Sequence, residues 1–431
     1  MERKYWDEGI ERMPREALEE LQLKRLNEIV RHVCDSNAEY RRRLEAARVK
    51  PADIKTLEDL TKLPFLTKDD LRQYYPFGLT CAPMRDVLYI HASSGTTGRP
   101  VVATYTKRDL EGWADLMARS MWAGGFRQDD ILQNAYGYGL FTGAHGHDLG
   151  ADRIGATVIP VGAGNTARQL TIMRDFGATA LAATPSYTLY MAEVAKGMGL
   201  DPSGDFRIKF GFLGAETWSD ELKSQVERVW SMKACEQYGL TEVMGPGVSF
   251  SCGEAESFHA NADAFLMEVV DPATGEQLPP GERGELVFTT LTKEAFPVIR
   301  FRTRDLAVLL DEECPCGRTL PRHSRILGRS DDMIKVKGVM LFPRQIEEAI
   351  MAVEGASENY QIVKLPKTPL SDIRVLVEPT PECADSGDPD RMAKRVSRGI
   401  YNMLGIRVEV QPAPIGSIPR SAGKAQRVTE A

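Results

Sequence analysis

The chain has 431 residues, 42% hydrophobic and 27% charged, too long for one ordinary core, so two or more globular domains are predicted. Its net charge of -7 excludes the global basic field that would gather nucleic acid. No run of about 18 apolar residues offers a membrane span, Met1 to Glu8 lacks the apolar core of a signal peptide, and the seven cysteines fit a reducing cytoplasm better than a disulfide framework.

Residues 1–75 read as helical, with Leu18, Leu21, Leu23, Leu26, Ile29 and Val30 at roughly helical spacing within 16–37. From 87 to 288, short β-rich runs (87–90, 156–161, 178–182, 210–213, 285–290) alternate with helical patterns at 109–122 and 220–230. This alternation predicts an α/β architecture built on sheets. Gly328-Arg329-Ser330-Asp331-Asp332 is short, polar and Gly-led, a hinge or linker. Beyond it, 343–353 and 392–404 read as helices and 373–377 and 407–410 as strands, while 382–389 is a polar loop. The expectation is a large N-terminal α/β domain, 1–328, and a small α+β C-terminal domain, 329–431.

The sharpest local signal is Ser93-Ser94-Gly95-Thr96-Thr97-Gly98-Arg99-Pro100. Small hydroxyl residues and glycines let backbone N–H groups converge on anionic oxygens. No Gly-Lys-Ser/Thr follows, so it is not a Walker A loop. Its flanks, 87–91 and 101–105, read as strands, so the loop caps a hairpin. The same letters also suit an ordinary Ser/Gly-rich turn. Further on, Gly214-Ala215-Glu216 ends an apolar run, where α/β proteins bind ligands. Cys314-Pro315-Cys316-Gly317 is a tight thiolate pair, and with Cys252 and His259 it can supply a tetrahedral, structural zinc site. Four unrelated residues remain the alternative.

The Ser93–Gly98 loop resembles the signature of the adenylate-forming superfamily. Tyr238-Gly239-Leu240-Thr241-Glu242, Arg302-Thr303-Arg304-Asp305, Gly328 to Asp332 and Pro419-Arg420-Ser421-Ala422-Gly423-Lys424 follow in the expected order. Within it the chain is most similar to phenylacetate–CoA ligases. Leu63-Pro64-Phe65, Tyr75 to Leu79, His91 to Gly98, Asn134 to Gly143, Tyr238 to Gly247 and Leu291-Thr292-Lys293-Glu294-Ala295 carry that likeness.

The resemblance implies a large adenylate-forming domain of several sheets and a small, mobile C-terminal one. It implies that Ser93, Ser94, Gly95, Thr96, Thr97 and Gly98 cradle the phosphates of ATP, Thr241 contacts the α-phosphate and Glu242 holds Mg²⁺, a hard cation that prefers oxygen ligands. Tyr238 and Gly239 then lie at the adenine, Gly214, Ala215 and Glu216 between adenine and acyl group, Asp305 and Arg329 at the ribose. A salt bridge to Arg302 or Arg304 is the alternative for Asp305. Lys424 matches the lysine of adenylation, where a cation must gather two anions and stabilise the transition state. It lies in the small domain, so rotation about Asp331 is expected between half-reactions, bringing Lys335, Lys337 and Gly338 to the site and opening a path for coenzyme A.

Tyr136, Phe141, Ala215 and Pro246 resemble acyl-pocket residues. Here the chain departs from the family: Ala144-His145-Gly146-His147-Asp148 follows Gly143, Ala262-Asp263-Ala264 replaces Glu-Asp-His, and Glu236-Gln237 replaces an acidic–aliphatic pair. Polar groups such as His147 and Gln237 need partners in a pocket, so the aryl acid is expected to carry hydroxyl or amino groups; neutral drift is the alternative. The expected activity is an ATP-dependent aryl-CoA ligase acting through an aryl-adenylate. Transfer to a carrier protein or other nucleophile, and a non-catalytic nucleotide-binding protein, are the competing readings; Lys424, Glu242 and Asp305 together speak against the last. A homodimer is implied by the resemblance.

Overall fold

A computed structural model describes residues 3–93, 99–336, 339–365, 372–421 and 425–430, with backbone alone at Lys335 and Met340. The chain divides into two compact units. One is Met1–Ala183 with Phe206–Ala215 and Lys233–Arg325; the other is Thr184–Asp205 with Glu216–Met232 and Ile326–Ala431. The second unit starts its C-terminal run beside the predicted hinge. It also takes in two earlier stretches that no sequence signal set apart.

The first unit is built on a mixed sheet. Its strands run in the order Phe265–Val270, Arg283–Thr290, Phe301–Leu310, Arg322–Ser324, Ser257–Ala260, Gly245–Ser251, Lys233–Leu240, Phe210–Gly214, Ala180–Ala183, Ile131–Asn134 and Thr157–Ile159. From Lys233–Leu240 onward the pairing is parallel; before it, antiparallel. Ala180–Ala183 is buried throughout, as a strand covered on both faces must be. Strand Phe301–Leu310 had no counterpart in the sequence reading, because its polar residues drew attention as a motif and hid its alternation.

Helices Lys107–Gly124 and Gly143–Ile154 pack on each other and on strand Gly245–Ser251. The first opens with a capping box between Thr106 and Asp109 and ends at Gly125, φ 108°. Gly146 stands where a Cβ would come 2.6 Å from Pro246 Cγ, so glycine is what lets the second helix approach that strand. Val87–Ala92 and Val102–Thr106 pair as a separate antiparallel hairpin. Between these strands, Ser94, Gly95, Thr96, Thr97 and Gly98 lie outside the described residues.

In the second unit a sheet runs Glu409–Pro412, Asp372–Pro379, Ala356–Leu365, Val428–Glu430. Ile346 and Ile350 from helix Pro343–Met351, Val396 and Ile400 from helix Pro389–Leu404, and Ile362, Val375 and Val377 from the strands form its core. The expected polar loop at 382–389 is partly helix, Pro381–Asp385, started by a Thr380 cap and a proline at its first turn.

Candidate active site and candidate metal centre

Strand Lys233–Leu240 carries Tyr238 and Gly239, and a turn through Thr241 and Glu242 leads into strand Gly245–Ser251. A Cβ on Gly239 would lie 1.7 Å from the Gly245 carbonyl oxygen, so only glycine permits this close return. The Tyr238 hydroxyl donates to Asp305 Oδ2 at 2.8 Å. The Asp305 N–H donates to Thr303 Oγ1 at 3.0 Å. Arg302, the alternative partner for Asp305, gives its guanidinium to Glu285 at 2.5 Å, and Arg304 gives Glu285 its backbone N–H. Tyr238 thus orients the carboxylate that the sequence set apart for ribose, a link invisible at a separation of 67 residues.

Thr241 Oγ1 lies 3.4 Å from Thr142 Oγ1. Glu242 is buried, and its carboxylate sits 3.0 Å from Lys68 Nζ. Sequence reasoning missed Lys68, which carries no motif. A buried carboxylate held by a half-exposed lysine suits exchange of that ammonium for a hard divalent cation, so the donor set fits Mg²⁺. Lys293 lies behind the same turn. It donates to the Val243 carbonyl at 3.0 Å, and burial pushes its ammonium down to about 7 against the pull of Asp109 and Glu242.

Tyr136 stacks on His147, ring centroids 5.0 Å apart and planes 20° apart, and His147 faces Phe212 at 6.5 Å. His147 Nδ1 is 2.8 Å from the Gly143 carbonyl, an acceptor, so the proton sits on Nδ1 and Nε2 keeps its lone pair. Burial pushes this imidazole down to about 4, so it is neutral near pH 7. His147 Nε2 and both amide atoms of Gln237 are buried without a hydrogen-bond partner among the described residues. Gln237 pairs in register with Gly214, the residue before Ala215, φ 70°. Half-buried Phe141 covers Gly143, and the Pro246 carbonyl accepts from Trp113 Nε1 at 2.8 Å.

Residues in and beside the other departing stretches have protein partners. His145, about 200° around the helix from His147, joins Tyr89, His91 and Tyr138 with centroids at 5.3, 4.9 and 5.8 Å. Asp263 is paired with buried Arg119 at 2.6 Å, and Glu236 with Arg325 at 2.9 Å. Both carboxylates are thus held by buried guanidinium groups.

In the second unit the Glu216 carboxylate accepts from Ser186 N and Oγ, at 3.1 and 2.8 Å, and from the Ala425 N–H. Glu216 was expected to offer backbone to a ligand; its side chain is committed to these groups. Arg329, expected at ribose, grips Asp331 at 3.0 and 3.1 Å. Arg420 holds buried Glu378 at 2.8 Å. Lys337, Gly338 and Lys424, with the side chain of Lys335, lie outside the described residues.

Cys252, His259, Cys314 and Cys316 converge in the first unit, all buried, their ligand atoms within 4.8 Å of one another. Strand register explains the meeting: Phe250 pairs with His259, and His259 with Arg322. Cys252 Sγ is 3.6 Å from Cys314 Sγ, and Cys316 Sγ is 3.4 Å from His259 Nε2. A tetrahedron with metal–sulfur bonds of about 2.3 Å spaces its sulfurs roughly 3.8 Å apart, so the donor set fits zinc, and none of Cys252, Cys314 and Cys316 is in a disulfide. The hydrogen bond from Cys252 holds the Cys316 thiol well below its ordinary range, against burial, with His259 adding to the pull. The Arg318 N–H points at Cys316 Sγ at 3.5 Å, its guanidinium pairs with buried Glu11 at 2.6 Å, and Tyr5 donates to the Cys316 carbonyl at 3.0 Å. Such outer contacts orient ligands.

Residues 16–291 match the AMP-binding enzyme family, and 338–431 the AMP-binding enzyme C-terminal domain; together with the curated relatives these make the chain an AMP-forming acid–thiol ligase. The chain is 44% identical to a phenylacetate-coenzyme A ligase of Escherichia coli and 42% identical to one of Pseudomonas putida, each alignment covering 96% of this chain and 94% of the relative. A solved 2-hydroxyisobutyryl-CoA ligase bound to an acyl-AMP superposes with a TM-score of 0.95 at 29% identity, covering 100% of this chain and 93% of that one. The chain belongs to the phenylacetate–CoA ligase family.

Proposed function

We propose that the protein activates an aryl carboxylic acid. The acid's carboxylate attacks the α-phosphorus of ATP and expels pyrophosphate. The coenzyme A thiol then attacks the acyl carbon, forming the thioester, losing its proton and releasing AMP. Among the described residues the observation that carries the aryl reading is the Tyr136–His147–Phe212 array, a set of flat faces beside a strand end. Glu242 would hold Mg²⁺, which would supply charge neutralisation on the phosphates when bound. Tyr238 lies at the adenine and orients Asp305, which holds the ribose, and Lys424 gathers carboxylate and phosphate. The large domain is taken as 1–328 and the small one, 329–431, as turning about Asp331.

His147 Nε2 as an acceptor and the Gln237 amide support an acid bearing a ring O–H or N–H. Zinc is assigned to Cys252, His259, Cys314 and Cys316 as a structural ion, because all its positions are filled by protein. The described cysteines form no disulfide, which supports a reducing cytoplasm, and a homodimer is proposed from the family likeness. No helix among the described residues is long and apolar enough to cross a membrane.

Pyrophosphate release is the test, measured over phenylacetate, benzoate, their hydroxy and amino derivatives, hexanoate and octanoate, with and without coenzyme A. Aryl acids should lead, and a substituted one should have the highest kcat/KM. A fatty acid above every aryl acid sinks the pocket reading. Plain phenylacetate on top sinks only the substituent.

A further inference from the structure

Among the largest fully buried side chains of the described residues, Lys293 is the only basic one, with 0% exposure. Burying an ammonium without a carboxylate beside it is costly. Among the described residues Lys293 forms no ion pair; its Nζ bonds the Val243 carbonyl at 3.0 Å and lies 4.2 Å from the Tyr105 ring centroid. Tyr105, also fully buried, donates to the Met244 carbonyl at 2.7 Å. Two carbonyls of the turn that presents Thr241 and Glu242 are therefore held by two side chains that touch each other.

The supports of this pair come from elsewhere in the chain. Tyr105 belongs to strand Val102–Thr106, the returning arm of the hairpin with Val87–Ala92. Lys293 hangs from a turn pinned by Asp109, which accepts from the Glu294 and Ala295 N–H groups at 2.6 and 3.0 Å. Asp109 also accepts from the Thr106 N–H at 2.9 Å, at the end of the same strand. Hairpin strand, Lys293 turn and Glu242 turn are thus one braced unit.

We propose that Lys293, with Tyr105, is a positioning residue for the metal–nucleotide triphosphate. It fixes the Glu242 turn against strand Val102–Thr106, so that the carboxylate meets the metal-bound triphosphate in a set position. This rests on the Glu242 role given above. A methionine would fill the same volume without a buried charge, so a purely packing site has no use for the lysine.

The test compares wild type, Lys293→Met and Tyr105→Phe in the full chain. Calorimetry reads binding of a non-hydrolysable ATP analogue with Mg²⁺, and of an acyl-sulfamoyl adenosine, which has neither triphosphate nor metal; thermal melting reads stability. We expect about a tenfold weaker affinity for the Mg²⁺-bound analogue in Lys293→Met, and a few-fold loss in Tyr105→Phe. The metal-free ligand and Tm should stay near wild type, or Tm should rise. The half-saturating Mg²⁺ concentration should rise in parallel. Equal loss for both ligands, a fall confined to Tm, or no change in either variant would overturn the proposal. If wild type binds the Mg²⁺-bound analogue yet adenylates no aryl acid, the functional reading fails while this proposal is still decided by the binding ratios.

Discussion

Strand Gly245–Ser251 has a different kind of site at each end. At its start stands the Glu242 turn; at its finish stands Cys252. Strand rise separates them by roughly 20 Å. The first end offers a hard carboxylate, Glu242, with the Lys68 ammonium against it. The other uses soft sulfur donors closed off from water, with Glu11, Arg318 and Tyr5 wrapped behind them. One sheet thus positions two donor sets, and under the proposed function donor softness and burial would separate an exchangeable cation from a resident one.

The contrast breaks most visibly through Lys424. Lys424→Ala should cut adenylation by roughly a thousandfold, on the scale of losing an electrostatic anchor of the transition state. Thioesterification of a pre-made aryl-adenylate should change little, read by single-turnover mixing with coenzyme A. Equal loss in both half-reactions would remove the lysine from the chemistry.

At the thiolate end the expected effect is on stability. Protein purified without chelator should carry about one zinc per chain. Cys316→Ser should lose the metal and lower Tm by several degrees, while the residual folded fraction keeps its KM for ATP. Less than about a tenth of an equivalent in wild type would mean the cysteines meet for packing alone.

Acid gives the smallest effect and sharpens the first end. Burial pushes His91 and His147 from 6.5 down to about 4 in the folded chain. Between these values the unfolded chain binds more protons, so stability should fall as pH drops from 6.5 towards 4 and be complete above 6.5. Denaturant unfolding across that window should show a shallower slope in His147→Asn. An unchanged slope would mean the imidazole stays hydrated.

Local chemistry made the nucleotide motifs and several elements legible in the sequence. Helix 220–230 was expected and is observed as Asp220–Trp230, since an acidic start and an apolar stripe act within one turn of the chain. The paired thiols of Cys314 and Cys316 were equally plain. Partners across the chain were not. Lys68 at Glu242, Tyr238 on Asp305, and Arg119 on Asp263 are set by strand register and helix packing, which depend on the whole core. The same holds for the histidines: sequence placed His145 and His147 together, and helical twist sent one to the hairpin aromatics and the other to Tyr136. Composition and motif therefore determined which chemical groups this protein carries. Tertiary structure decided which of them stay unpaired and face one another, because burial and register, not residue type, choose a side chain's partner.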